Sequence, residues 1–433
     1  MTAPAGAAPG RWPDELLDVA ALRAGGERPL PFREFVIKVH SRCNLACTYC
    51  YVYEGADQLW RSQPHTMAPG TVRQLCRRIA EHAERHRLPS LRVILHGGEP
   101  LLAGTALLRD LTLTLRRLLP DRTRAEVVIQ TNGLLVDDDV LRLCHEADIR
   151  IAVSLDGPPR VHDRGRRDPA GRGSHARVSA ALRRLGGPEH RDVWAGILCT
   201  VDVTADPLEV YEHLLAYEPE AIRLLLPLGN WTNRPPQRTD DPAHIPYGRW
   251  LAAVFDRWYH SPGPPVRIAF FESVLDLLLG GVSRTETIGG APSQLAVVDT
   301  DGSLTLSDQL KSAFEGADRS GYDIHRHPFD ALLDHPGLVA RQSAARGLAA
   351  ACSTCPVGAV CGGGHYPHRY RAENGFLNPS VYCPDLMALI RHVAGVVRAD
   401  VTRATGAGEP AEQRGSGEPT EPGEPTEQPG TRP

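Results

Sequence analysis

The 433-residue chain lacks several things, and each absence narrows what it does. No apolar run reaches the ~18 residues needed to span a bilayer, since even 274–282 is broken by Asp276 and by Gly280 and Gly281. No basic start followed by an apolar block opens the chain, so no secretory signal is read there, and a cytoplasmic protein without a membrane segment is expected. No basic stripe with interleaved aromatics is present and the formal charge is only −4, so nothing asks for a nucleic acid partner. Residues 405–433 hold six Glu against two Arg, which accounts for that charge and leaves the body close to neutral.

What is there is enough for a sizeable core, with 42 % hydrophobic residues. Apolar strands at 35–40, 91–95, 126–130, 149–154, 193–200 and 221–226 alternate with amphipathic segments at 71–86, 106–119, 137–147, 174–185 and 208–217. This βα alternation predicts a parallel α/β sheet, either open and doubly wound or a partial barrel, and in both the chemistry gathers at the carboxyl ends of the strands. A Pro-rich connection at 227–246 leads to a helix over 247–260. Beyond it lies a loop-rich region with a hairpin signal at Asp301-Gly302 and a dense cysteine group, a region expected to need a metal for stability. The expected divisions are an N-terminal extension (1–32, with a short helix over 13–24), a barrel-like domain (33–240), a helical bridge (241–288), the cysteine-rich domain (289–386), a last helix (387–404; periodicity 385–402) and a tail (405–433) too polar to fold.

Ten cysteines in a chain without an export signal read as metal ligands or buried thiols before disulfides. The segment KVHSRCNLACTYCYVYEG sets Cys43, Cys47 and Cys50 in a Cys-x3-Cys-x2-Cys loop straight after the first strand. Three thiolates can take three corners of an iron–sulfur cubane and leave the fourth iron open, whereas structural zinc wants a fourth Cys or His. This loop resembles the defining motif of the radical S-adenosylmethionine (SAM) superfamily, in which SAM chelates the open iron of a [4Fe-4S] cluster and is cleaved to a 5′-deoxyadenosyl radical. The resemblance implies further roles: Tyr49 packs near the adenine, and Gly97, Gly98 and Glu99 of His96-Gly-Gly-Glu-Pro100 meet the SAM ammonium. Asn132 of Gln130-Thr-Asn-Gly and Ser154 and Asp156 of Ser154-Leu-Asp-Gly reach the ribose. Arg166 of His162-Asp-x-x-Arg takes the SAM carboxylate, with Arg164 as its competitor.

Cys352-x2-Cys355-x5-Cys361 followed by Cys383 supplies four thiolates, a full set for either a [4Fe-4S] cluster or zinc by spacing alone. The pattern resembles the SPASM extension of radical SAM peptide-modifying enzymes, which implies a partial (β/α)6 TIM-like barrel followed by a smaller SPASM-like iron–sulfur domain. Two departures stand out: His365 occupies the place of a further Cys, and Ser307 stands where a Gly-x4-Cys element counted from Gly302 would end. One auxiliary [4Fe-4S] cluster held by Cys352, Cys355, Cys361 and Cys383 is therefore expected. Asp308 is similar in position to the general base of SPASM sulfatase maturases; the alternative is a turn cap. Cys76, Cys144 and Cys199 read as buried apolar residues, and no His-x-x-x-His pair on a helix is expected to make a separate metal site.

The segments RPLPFREFVIKVHSRCNLACTYCYVYEGADQ and CGGGHYPHRYRAENGFLNPSVYCPDL resemble the FxsB-like group of radical SAM/SPASM peptide maturases, which includes cyclophane-forming enzymes. The likeness implies a small ribosomally made precursor peptide as substrate, a carbon–carbon cross-link from an aromatic ring to the β-carbon two residues on, and a reductase or flavodoxin/ferredoxin electron donor. About thirty residues precede the first strand, so the precursor is expected to be bound by the barrel, the auxiliary domain or a separate protein rather than by a fused recognition element. The other readings are a sulfatase-maturing or other peptide-oxidising enzyme and, remotely, a structural zinc protein.

Overall fold

The computed structural model describes residues 13, 16–263, 266–343, 347–405 and 430. Nine strands form one sheet: β1 (Glu34–His40), β2 (Ser90–Gly97), β3 (Arg124–Thr131), β4 (Ile149–Ser154), β5 (Trp194–Thr200), β6 (Ile222–Leu225), β7 (Leu295–Val298), β8 (Ser303–Thr305) and β9 (Arg319–Asp323). Their order is β6-β5-β4-β3-β2-β1-β7-β8-β9, with β1 to β6 parallel throughout. Helices Pro69–Arg85, Thr105–Leu118, Asp138–Ala147, His175–Leu185 and Pro207–Leu215 make the crossovers, within two residues of where periodicity puts them. Alternation along β1 explains the layers. Phe35 packs on His82 of the first crossover helix and on Phe329, and Ile37 and Val39 are equally buried, whereas Val36 joins Ile94 and Val297 on the other face.

The sheet does not stop at β1. β7 pairs with it in parallel, Glu34 opposite Leu295 through Ile37 opposite Val298, and then turns through Asp299 and Gly302 into antiparallel β8 and β9. Gly302 takes φ +91, a conformation that favours glycine, which is why the Asp-Gly pair marks this turn. The region with the second cysteine group thus shares a sheet with the first. The last helix runs Cys383–Thr405, and beyond it the expected tail lies outside the described residues except for Gly430. No helix among the described residues is long and apolar enough to cross a membrane.

Two expectations are corrected. The N-terminal helix covers only Val19–Ala24, because Asp18 accepts a hydrogen bond from Ala21 N at 2.8 Å and so fixes the start there. A His-x-x-x-His pair does exist: His82 and His86, one turn apart, meet Asp330 with ligand atoms within 4.8 Å of one another. It is nonetheless a clasp and not a metal seat. His82 Nε2 accepts from Phe32 N at 3.0 Å, so its Nδ1 must carry the proton donated to Asp330 at 2.6 Å. His86 and Arg85 bind the same carboxylate at 3.1 and 2.8 Å.

Burial pushes Asp330 up, but its hydrogen bonds from His82 and His86 outweigh that and bring it down to about 2. A carboxylate whose folded value lies below its unfolded ~3.9 stabilises the fold above that value and loses the contribution as pH falls toward 2. Asp330→Asn should lower the melting temperature near neutral pH and flatten its fall between pH ~4 and ~2, as read by thermal melts across that range.

Candidate active site and metal centres

The chain leaves β1 at His40 and turns at once into the first cysteine loop, which is pinned from behind by Ala46 N to Arg167 O (2.7 Å) and Thr48 N to Gly165 O (3.0 Å). Gly165 must be glycine, because a Cβ there would come 2.8 Å from the Tyr49 ring. Cys43, Cys47 and Cys50 all open onto one cavity of about 1160 Å³, and none is in a disulfide. Burial pushes Cys43 up to about 12 and Cys47 up to about 11, so bound metal is what would hold them as thiolates. Among the described residues the one trio of such ligand atoms within 4.8 Å of one another is the histidine clasp. Three thiolates are one short of a closed structural zinc site and can take three corners of an iron–sulfur cluster.

β2 ends against this loop. A Cβ on Gly97 would lie 2.0 Å from His40 O, and one on Gly98 1.8 Å from the Tyr53 hydroxyl, so only glycine lets the two strand ends touch. Both glycines line the cavity, with Asn132, Ser154, Tyr49 and Arg166. Glu99 does not. It is fully buried, accepts from Thr131 Oγ1 (2.7 Å), Leu101 N (3.0 Å) and Asn132 N (2.8 Å), and is pushed by burial up to about 6 against those bonds. With its oxygens taken inside the protein it bolts the end of β2 to the end of β3. Asn132 in turn donates to Asn44 (2.7 Å) and to the Cys43 sulfur (3.7 Å).

Asp156 is likewise withdrawn from the cavity wall and organises the residues that are on it. It accepts from Thr200 N (2.9 Å), from Arg166 Nε (2.8 Å) and from the Tyr49 hydroxyl. Burial alone would raise its pKa, but Arg166 first of all brings it below the usual range. The Arg166 guanidinium sits 5.5 Å from the Tyr49 ring centre and beside Cys47, so a fixed positive charge faces the cysteine loop. Arg164 points elsewhere, pairing with Asp202 at 2.7 Å at half exposure.

Asp308 comes to the same cavity from the far side of β1. It follows β8, opens the turn Asp308–Ser312, and is buried. Asp308 is the first residue inside that turn, whose cap position belongs to Ser307. The Tyr51 hydroxyl donates to Oδ2 at 2.7 Å and Lys38 Nζ stands 3.6 Å from the same oxygen. His96 lines the cavity beside it with a buried Nδ1 that has no partner. Reading the sequence found Asp308 but not Tyr51 or Lys38, and took His96 only as a letter of a glycine motif.

The second cysteine group is built on two single-turn helices, Ala350–Ser353 and Gly358–Cys361, and on the start of Cys383–Thr405. Behind it lies Arg369, buried, donating to the carbonyls of Gly347, Gly362, Gly363 and Gly364 and to no carboxylate. Gly362, Gly363 and Gly364 can wrap it because each adopts positive φ. Among the described residues this buried guanidinium has no carboxylate partner, and the groups that act on it are Tyr366 first and then the Cys352 and Cys361 sulfurs, which a bound metal would hold as anions. The four cysteines thus fit an anionic metal–thiolate group. His365, standing where a further cysteine would, faces the large cavity with His368 and is pushed by burial down to about 3. Cys76, Cys144 and Cys199 are fully buried, as expected.

Comparisons with known proteins agree with this geometry. Residues 37–214 match the Radical SAM superfamily. A serine-type anaerobic sulfatase-maturating enzyme of Klebsiella aerogenes is 26 % identical over 390 residues, 87 % of this chain and 92 % of that one. A cysteine-type enzyme of Clostridium perfringens strain 13 is 26 % identical over 293 residues, 64 % of this chain and 74 % of its own. Among solved structures, native anSMEcpe with bound AdoMet and Cp18Cys peptide superposes with a TM-score of 0.72 at 22 % identity, covering 86 % of this chain and 99 % of that one. Streptococcus suis SuiB bound to precursor peptide SuiA superposes at 0.57 with 14 % identity, covering 84 % and 78 %. The cofactors of such an enzyme are SAM and [4Fe-4S] clusters. Residues 37–214 are a radical SAM domain, and the chain is a radical SAM enzyme related to the anaerobic sulfatase-maturating enzymes.

Proposed function

We propose that this enzyme matures a ribosomally made precursor peptide, closing a carbon–carbon bond between an aromatic ring and a side-chain β-carbon to form a three-residue cyclophane. The observation that carries a peptide-oxidising reading is Asp308, a buried carboxylate lining the same cavity as Cys43, Cys47 and Cys50, with Oδ1 free of hydrogen bonds among the described residues. The cavity, at about 1160 Å³, exceeds the ~300–1,000 Å³ of ordinary small-molecule pockets and suits a cofactor together with a stretch of peptide.

In this reading Cys43, Cys47 and Cys50 hold the radical SAM cluster, and Cys352, Cys355, Cys361 and Cys383 hold one auxiliary [4Fe-4S] cluster. When bound, SAM and the reduced cluster supply a 5′-deoxyadenosyl radical that removes a hydrogen atom from the substrate. Arg166, backed by Asp156, binds the SAM carboxylate, and Gly97 and Gly98 present backbone to its ammonium. Tyr49 flanks the adenine, and Asn132 and Ser154 face the ribose. Asp308 takes the proton that leaves as the aromatic ring is restored, and the buried surround keeps water from intercepting a radical. The auxiliary cluster that Cys352, Cys355, Cys361 and Cys383 would hold would supply an acceptor for the electron lost with that proton, and a cytoplasmic reductase, flavodoxin or ferredoxin would supply the electron for the first cluster.

A second reading, oxidation of a serine or cysteine side chain as in sulfatase maturation, is favoured by the sequence similarity to sulfatase-maturating enzymes. The peptide product separates the two. A cross-link predicts a precursor lighter by two hydrogens, inert to hydrazines, and resistant to fragmentation between the joined residues. An aldehyde product, which hydrazines capture, would replace the first reading by the second.

Two outcomes check the site. Anaerobically reconstituted protein should carry about eight iron per chain, falling to about four in the Cys43/Cys47/Cys50 triple Ala variant; zinc, or iron unchanged in the variant, would overturn the cluster assignment. Asp308→Asn should still cleave SAM to 5′-deoxyadenosine but form product at least ~100-fold more slowly, as removal of a general base does, when both are quantified by chromatography.

A further inference from the structure

Of the 48 lysines and arginines in the chain only two are lysines, Lys38 and Lys311. Both are buried, and both lie among the same aspartates. Lys311 stands 3.9, 3.7 and 3.5 Å from carboxylate oxygens of Asp57, Asp299 and Asp318. Lys38, on β1, stands 3.6 Å from Asp308 Oδ2 and faces Asp299 and Asp318. Every other cation of the chain is an arginine, so lysine stands only where a compact ammonium must fit between carboxylates. A planar guanidinium with five donors would not be satisfied in such a gap.

The Asp308 carboxylate is divided between two tasks. Oδ2 receives the Tyr51 hydroxyl at 2.7 Å and faces the Lys38 ammonium at 3.6 Å, while among the described residues no hydrogen bond is made to Oδ1, and Asp308 lines the cavity. We propose that Lys38 is a positioning residue for Asp308: with Tyr51 it anchors Oδ2, keeps the buried carboxyl an anion, and so leaves Oδ1 aimed at the substrate as the proton acceptor. This rests on the reading of Asp308 as the base. In the step it serves, one proton passes from the oxidised substrate to Oδ1 and one electron to an iron–sulfur oxidant, and no bond to Lys38 forms or breaks.

The surroundings explain why such a device is needed. Burial pushes Asp308 toward the neutral acid, and a neutral acid cannot take a proton. Lys38 is the strongest opposing influence, ahead of His96 on β2, Tyr51 after the cysteine loop and Lys311 on Asp308's own turn, and together they hold the carboxyl below its usual range. Lys38 is itself kept charged against burial by Asp308, Asp299 and Asp318. Asp318 is pushed up by burial despite Lys311 and Lys38.

Infrared spectra of the full-length, cluster-loaded protein read the charge on Asp308 directly, its protonated-carboxyl band being the one that adding Asp308→Asn removes, from wild type in strong acid and from Lys38→Met at neutral pH. Wild type should show no such band at neutral or mildly acidic pH, and Lys38→Met should show it at neutral pH. In the same variant the yield of product per 5′-deoxyadenosine should fall about tenfold or more and recover as pH rises, because a carboxyl with a raised pKa ionises only in alkali. A Lys38→Met protein with Asp308 still ionised at neutral pH and an unchanged product ratio overturns the proposal. If that variant does not fold, the wild-type titration decides, since a protonated Asp308 at neutral pH overturns it as well. Full product from Asp308→Asn would remove the base reading, while the infrared result still judges the hold of Lys38.

Discussion

The pairing of β7 with β1 is the contact on which the site depends. β1 carries the cysteine loop at its carboxyl end and Lys38 within it, and β7 leads through β8 to Asp308. Four residue pairs in parallel register bring together two parts of the chain some 260 residues apart in sequence, so that one strand presents the cysteine loop and its neighbour leads to a buried carboxylate on the same cavity. A slip of one residue would turn Lys38 to the outer face and leave Asp308 buried without its cation.

Around that joint, the residues that face the cavity are held by residues that do not. Glu99 and Asp156 are the clearest cases: both were expected to touch SAM, and both are withdrawn behind the wall, one bolting two strand ends together and the other clamping Arg166 and Tyr49. A short polar motif at a strand end marks the neighbourhood of a site; it does not say which member faces in. Burial and the count of hydrogen-bond partners decide that, and neither is a property of the local sequence.

The alternation of strands and helices, the crossover boundaries, the cysteine loop and the Asp301-Gly302 turn were legible because each rests on local period or local conformational need. The continuation of the sheet into β7 was not, since Leu295–Val298 is a four-residue apolar run whose partner is fixed only by long-range pairing. Lys38 and Tyr51 were hidden for the same reason, although the scarcity of lysine was a signal in plain view. The His82–His86 pair was overlooked in the sequence, and even when seen its spacing would have suggested a metal; only the hydrogen bond from Phe32 N shows why the nitrogens are occupied.

The large cavity has a consequence for how this fold tolerates change. Its walls include the inward residues of most strands, from Glu34 and Arg92 near their beginnings to Asn132 and Ser154 at their ends, so the interior of the sheet is not where packing density lies. Cohesion comes from the outer layer, where Phe35, Ile37, Val39, Val93, Leu95 and Ile129 are sealed under helices. Inner-face substitutions can therefore drift with the shape of the guest while the scaffold keeps its fold, a separation of adaptability from stability that lets one architecture acquire new clients.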